Sequence, residues 1–244
     1  KLCKWSLLTL LSRVHLHMGN YEKALEAAEQ GIQGALKHGF ALWSNDEYAS
    51  GWSKPFNKEF LFEVVNLSTD SPGKGSIGYY YNMIATKKFF RDYLAKSKDV
   101  RKSVVSTASS SKPYCLKFPE QDGKSYEDCN VVVFRMSELY LNAAEAAVQV
   151  GQQDKALKYF LPIYQRTNTE WDESQEITLL EVLDQRRVEF WGEGHRFFDL
   201  MRNNLQVERT DYLESVAIDA RTFDWDFYRI VLPIPRKETN LNDN

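Results

Sequence analysis

The stretch MGNYEKALEAA, Met18–Ala28, decides the fold, because it has a second copy in outline at VGQQDKALKYF, Val150–Phe160. Gly19 matches Gly151, Lys23 matches Lys155, Ala24 matches Ala156 and Leu25 matches Leu157. Each copy follows an apolar stripe of helical period: Leu7, Leu11, Val14 and Met18 before the first, Met136, Leu139, Ala143, Ala146, Ala147 and Val150 before the second. A second stripe follows each glycine: Tyr21, Ala24, Leu25, Ala28 and Ile32 in one copy, Ala156, Leu157, Phe160 and Ile163 in the other. Glycine in the turn and alanines along both stripes let two helices approach closely at their crossing. This is the tetratricopeptide style of helix pair. Gly31 and Gly34 are read as loosening the end of the first pair, and Pro162 as a kink or stop in the second. Such pairs cannot bury both faces alone and usually stack in threes or more. Helices that would cover the first pair are not evident in the sequence.

Working outward, residues 41–130 change style. EFLFEVVN reads as a short strand, ATKKFFRDYLA (85–95) as a short helix and STASSSKP as a loop. KPYCLKF and NVVVF flank a polar turn-rich segment and read as a hairpin or two extended segments. The expected architecture is mainly α, an α-α superhelix of tetratricopeptide-like pairs with a loop-rich insertion holding short strands. Its parts are a pair at 1–40, the insertion at 41–130, a pair at 131–170, and C-terminal helices with an extended tail at 171–244, all in one domain.

Composition narrows the function. Lys plus Arg number 31 and Asp plus Glu 34, a formal net charge of -3, so the concentrated basic face of a nucleic-acid binder is not there. No segment reaches the ~20 apolar residues of a membrane-spanning helix. The start, KLCKWSLLTLLSRVHLHMG, lacks a secretory-signal pattern, and Cys3 runs straight into a helix rather than a lipid-anchored tether. Cys3, Cys115 and Cys129 form no CxxC pair; they read as three separate thiols, with a Cys115–Cys129 bridge the alternative.

The densest chemistry lies in RRVEFWGEGHRFFDLMR, Arg186–Arg202. Thr178 and Glu181 cap the helix before it, and Gly192 stops that helix. Glu189 with Glu193, or Asp224 with Asp226, offer paired carboxylates for glycoside hydrolysis, though neighbours on one helical turn fit that chemistry poorly. A metal site lacks HExxH and a second nearby histidine; His15, His17 and His38 are scattered. Arg186 with Glu189 and Arg196 with Asp199 are spaced for same-face ion pairs over a layer of Phe190, Trp191, Phe197, Phe198 and Leu200. The stretch therefore reads as a clamp holding the last helices to the helix pairs. The ligand-binding candidates are aromatic: Trp43, Tyr48, Trp52, Tyr79, Tyr80 and Tyr81, with Asn82 beside them, lie in or beside the insertion. Such rings stack on sugar faces, or else pack the loops onto the scaffold.

Four stretches in order resemble the SusD/RagB family: LLSRVHLHMGNYEKALEAAEQGI, FRMSELYLNAAEAAVQVGQQDKAL, EFWGEGHRFFDLMR and LPIPRKETNLNDN. The third carries the family signature onto Arg186, Arg187, Glu189, Gly192, Glu193, Gly194, His195, Arg196 and Asp199. The resemblance implies the C-terminal part of an outer-membrane nutrient-binding lipoprotein, on the extracellular face, its lipid anchor outside this chain. It implies capture of a glycan, or less often another nutrient, for a SusC-type TonB-dependent transporter. No catalysis, cofactor or metal is implied. A glycoside hydrolase and a tetratricopeptide-type adaptor for peptides or proteins remain the rival readings.

Overall fold

The computed structural model describes residues 2–76, 89, 98–106, 114–121, 123–172, 174–209, 221–228 and 230–231. Its helices are α1 (Lys4–His17), α2 (Tyr21–Lys37), α3 (Tyr48–Gly51), α4 (Met136–Gln149), α5 (Gln153–Tyr164), α6 (Leu179–Glu189) and α7 (Arg196–Arg202). The short strands are β1 (Phe60–Val64), β2 (Val105–Ser106), β3 (Tyr114–Cys115), β4 (Val131–Arg135), β5 (Val207–Glu208) and β6 (Thr222–Phe223). The fold is mainly helical, as the periodicity predicts. Two compact units emerge, Lys1–His195 with the helix pairs and insertion, and Arg196–Asn244 with α7, β5 and β6.

The repeat holds down to individual hydrogen bonds. Gly19 (φ 70°) and Gly151 (φ 71°) both take the left-handed backbone that glycine tolerates. Gly19 N–H donates to Leu16 O, and Asn20 N–H to His15 O. In the second copy Gly151 N–H donates to Val148 O, and Gln152 N–H to Ala147 O. Both are the Schellman arrangement, which satisfies the last carbonyls of one helix and turns the chain into the next.

The core of the first unit lies where α2 and α4 pack together. α2 buries Ala24, Leu25, Ala27, Ala28, Ile32 and Ala35, while α4 buries all four of its alanines with Met136, Leu139 and Leu141. α1 departs from the expected stripe. Leu7, Leu11, Val14 and Met18 are exposed, and the buried residues are Ser6, Thr9, Ser12 and Leu16. Small side chains win this face because they permit close approach, and their hydroxyls are satisfied there. Thr9 Oγ1 donates to Trp5 O (2.9 Å), Ser12 Oγ donates to Thr9 O (2.8 Å), and Asn142 Nδ2 donates to Ser12 Oγ (2.9 Å). Nor do Gly31 and Gly34 loosen α2, which runs on to Lys37. They make room: a Cβ on Gly34 would lie 1.9 Å from the Trp5 ring, and one on Gly31 2.7 Å from Leu139. α5 continues through Pro162 to Tyr164, then tightens into a 3-10 turn, Gln165–Thr167.

KPYCLKF and NVVVF contribute two separate extended segments, the second of the two readings, and do not pair with each other. β1 pairs antiparallel with β4, and β2 with β3. Each strand of the supposed hairpin has found a partner earlier in the insertion. The proposed helix at 85–95 lies outside the described residues except for buried Phe89, and so do the loop 107–113 and the tail 232–244. Thr178 caps α6 as expected: its Oγ1 accepts from Glu181 N–H (3.3 Å), and Glu181 Oε2 accepts from Thr178 N–H (2.7 Å). On α6 Leu180 is exposed, and Val182 and Leu183 are buried.

Candidate functional site

Glu189 is the last residue of α6, and its side chain is 0% exposed. Its Oε1 meets Arg135 Nη1 at 2.5 Å and also pairs with Arg166 Nη1, while its Oε2 lies 3.5 Å from Arg101 Nη1. Gly192 (φ 79°) and Gly194 (φ 81°) then bend the chain so that Glu193, between them, turns to the same centre. Glu193 accepts from Arg135 Nε (2.8 Å) and Nη2 (2.9 Å) and from Lys117 Nζ (2.6 Å). From the insertion, Glu59 accepts from Arg135 (3.0 Å), Arg166 (2.9 Å), the Trp43 backbone N–H (2.7 Å) and Ser137 Oγ. Asp99 binds Arg101 at 2.6 Å, and Arg101 also donates to Gln185 at 2.8 Å.

Four carboxylates, Glu59, Asp99, Glu189 and Glu193, thus face four cations, Arg101, Lys117, Arg135 and Arg166, all buried except the half-buried Glu193. One backbone carbonyl takes two further donors: Lys117 Nζ and Arg135 Nη2 both reach Glu189 O, at 2.6 and 2.8 Å. Burial alone would raise the Glu189 carboxyl, but Arg166, Arg135 and Arg101 outweigh it and hold it far below the usual carboxylate range. Glu193 is held low in the same way, by Arg135 and Lys117 against its burial. Burial lowers the Lys117 ammonium, which Glu193 partly restores. A general acid needs a raised pKa, so these two carboxylates are set up for pairing and against proton donation.

Arg186 and Glu189 reach partners well beyond their own helix. Arg186 donates to Asn142 (2.8 Å) and approaches Glu145 (3.6 Å) on α4, with its guanidinium over Phe190. Arg187 lies over the Phe89 ring, 5.0 Å from its centroid. His195 stacks on Phe190 at 4.4 Å, and its burial, aided by Arg186, lowers its pKa to about 4. In the second unit Arg196 opens α7, and Asp199 accepts from Arg202 at 2.6 Å. Phe190 and Leu200 are buried, Trp191 is half-buried, but Phe197 and Phe198 are exposed rather than beneath an ion-pair layer.

Trp43, Tyr48 and Trp52 are buried together with Phe60, which closes their ring faces to a stacking ligand. Trp43 meets Trp52 edge-on at 5.4 Å and Tyr48 at 5.9 Å. Their flat faces serve the charge cluster instead: Arg166 sits 4.7 Å from the Tyr48 centroid, Lys117 5.0 Å and Arg135 5.4 Å from that of Trp52. Trp43 also borders a shallow open cleft with Glu47, Lys54 and Asn57. Tyr79, Tyr80, Tyr81 and Asn82 lie outside the described residues. No disulfide joins Cys3, Cys115 and Cys129, and the last two share an apolar cluster with Phe118. No group of three His, Cys, Asp or Glu among the described residues is arranged to hold a metal ion.

Sequence reasoning missed the partners Glu59, Asp99, Arg101, Lys117, Arg135 and Arg166. A signal was present: Glu59 precedes FLF, Lys117 sits in YCLKF and Arg135 ends VVVF, single charges set in apolar strand-like runs. Such a charge is buried only with a partner.

A scaffold of stacked helix pairs, with a mixed insertion locked to it by buried ion pairs, defines a helical-repeat class of protein. The SusD family model matches residues 76–244, more than half of the sequence, and the chain belongs to the SusD family. Among solved structures, it is similar to a "putative sugar binding protein" from Bacteroides vulgatus, with 42% identity and a TM-score of 0.91 over 99% of this chain and 58% of that one. A SusD superfamily protein from Bacteroides thetaiotaomicron is 33% identical, with a TM-score of 0.84 over 98% of this chain and 58% of that one. SusD-like protein P25 of Formosa agariphila is 31% identical over 119 residues, 46% of this chain and 22% of the relative. The chain thus spans a little over half the length of those structures and under a quarter of that curated relative.

Proposed function

We propose that the protein binds a glycan and releases it unaltered to a transporter. The observation that carries this is the 42% identity, across 99% of the chain, to the Bacteroides vulgatus protein named for sugar binding. The geometry of the signature supports a binding role over hydrolysis: Glu189 and Glu193 are neutralised by buried cations and offer no proton. Family membership supports a place at the outer face of the outer membrane and delivery to a SusC-type partner. Titration of the full-length protein against a glycan panel tests the reading; heat released on binding, with no change in glycan length, is expected. Cleavage of any panel member that is lost in Glu189→Gln or Asp226→Asn would return the hydrolase reading. Co-purification with a TonB-dependent barrel tests delivery, and its absence from a native membrane extract would count against it.

A further inference from the structure

Six tryptophans are distributed along the chain, and all lie among the described residues. Trp43 and Trp52 are buried; Trp5, Trp171 and Trp191 are half-buried. Trp225 alone of the six is exposed, at 49%, and three residues on Tyr228 is exposed at 72%. The two rings stand on a built turn. Phe227 N–H donates to Asp224 O (3.1 Å), which puts Trp225 and Asp226 at the tip, and Ile230 N–H donates to Phe227 O (2.9 Å), which continues the bend. The turn is rooted in the β5–β6 pair, Val207 opposite Phe223 and Glu208 opposite Thr222. Gln206 Nε2 holds Asp224 Oδ1 at 2.9 Å. Phe227 packs on Phe223 at 5.4 Å and against Tyr228 at 4.9 Å, with the Arg209 guanidinium over Phe223.

We propose that this turn is a saccharide-stacking platform, in which the Trp225 indole takes the apolar face of a pyranose and the Asp226 carboxylate accepts hydroxyls at its edge. The inference rests on the glycan-binding reading and gives it a place. Three points favour a sugar over other occupants. An indole matches the area of one sugar ring, and aromatic faces meet C–H-rich surfaces well. A carboxylate acceptor beside the ring suits hydroxyl donors and repels anionic lipid headgroups. Trp225 and Asp226 are adjacent at the tip of the turn, so a ring face and a hydroxyl acceptor are presented together. The aromatic base beneath the turn holds the platform in shape before ligand arrives, which lowers the ordering cost of binding.

The test uses the purified protein with maltohexaose, cellohexaose, xylohexaose, mannohexaose and laminarihexaose as probes. A hexasaccharide that binds is expected to protect tryptophan fluorescence from acrylamide quenching, since Trp225 is the one exposed indole. Trp225→Ala should weaken its affinity roughly tenfold, and Asp226→Asn by several-fold, the worth of one stacked ring and one charged acceptor. Trp225→Tyr should recover part of the loss, and thermal midpoints should stay close to wild type, because both side chains are exposed. If the wild type binds a probe and Trp225→Ala binds it equally, the platform is overturned while glycan binding stands. If no probe binds the wild type, the glycan reading and the platform fall together. If Trp225→Ala loses a membrane protein partner but keeps full glycan affinity, the turn is a protein contact and the inference is overturned.

Discussion

At the scale of single residues, Glu189 answers to three arginines at once, so its removal unbalances the whole cluster. Breaking a buried pair by deleting one partner costs about 3–5 kcal/mol, because the other charge is left buried and unpaired. Glu189→Gln keeps the shape and removes the charge; its unfolding free energy from urea denaturation is expected to fall by that amount, against an unchanged value if the pairs were mere surface contacts. The same residues set an acid limit. Glu189 and Glu193 titrate below their ordinary range when folded, so their contribution is full above that range and is lost as pH falls through it. His195 acts in the same direction: the unfolded chain takes its proton near 6.5, the folded one near 4, so stability rises with pH across that window. The thermal midpoint should drop between pH 6.5 and 4, and His195→Phe, which keeps a ring on Phe190, should flatten that slope. Equal slopes in the two proteins would remove His195 from the account. The clamp residues Glu189 and Glu193 were legible from sequence, but their partners were not. Spacing reveals neighbours on one helix, whereas Arg135 arrives from the end of β4 and Lys117 from the segment after β3, both far away in the chain.

Between elements, the packing of α1 on α2 turns on close approach rather than on leucine. The α1 stripe of Leu7, Leu11, Val14 and Met18 stays exposed, so Leu11→Ser should move stability by less than about 0.5 kcal/mol. Gly34→Ala places a Cβ inside the Trp5 ring and should cost about 1–3 kcal/mol, the scale of overpacking in a tight core. Gly31→Ala meets the flexible end of Leu139 and should cost less. Chemical denaturation of the three variants gives the ranking; a larger loss in Leu11→Ser than in Gly34→Ala would reverse the packing argument. The turn chemistry of both helix pairs was readable because glycine followed by Lys-Ala-Leu is a local signal. Which face of α1 is buried was not, because periodicity detects an apolar face and cannot say whether anything covers it. Small satisfied hydroxyls on the opposite face leave no apolar trace. Strand pairing failed for a related reason: residue patterns identify β3 and β4, while their partners β2 and β1 are chosen by tertiary contact.

Across the first unit as a whole, the ion-pair cluster joins segments that the sequence divides into scaffold and insertion. Glu59, Arg101 and Lys117 come from the insertion, Arg135 and Arg166 from the ends of β4 and the 3-10 turn after α5, and Glu189 from α6. β4 continues directly into α4, so the strand that pairs with β1 is covalently part of the core helix. An insertion attached in this way should unfold with the scaffold rather than before it. Arg101→Ala cuts the cluster from the insertion side and Arg166→Ala from the scaffold side, yet both should lower one and the same transition. Native-state hydrogen exchange provides the check: protection in β1 and in α4 should fall together in either variant, as expected of one cooperative unit. Loss of protection in β1 alone on Arg101→Ala would mean that the insertion is an independent module resting on the helices, and the cluster would then be a hinge contact rather than the joint that unites them.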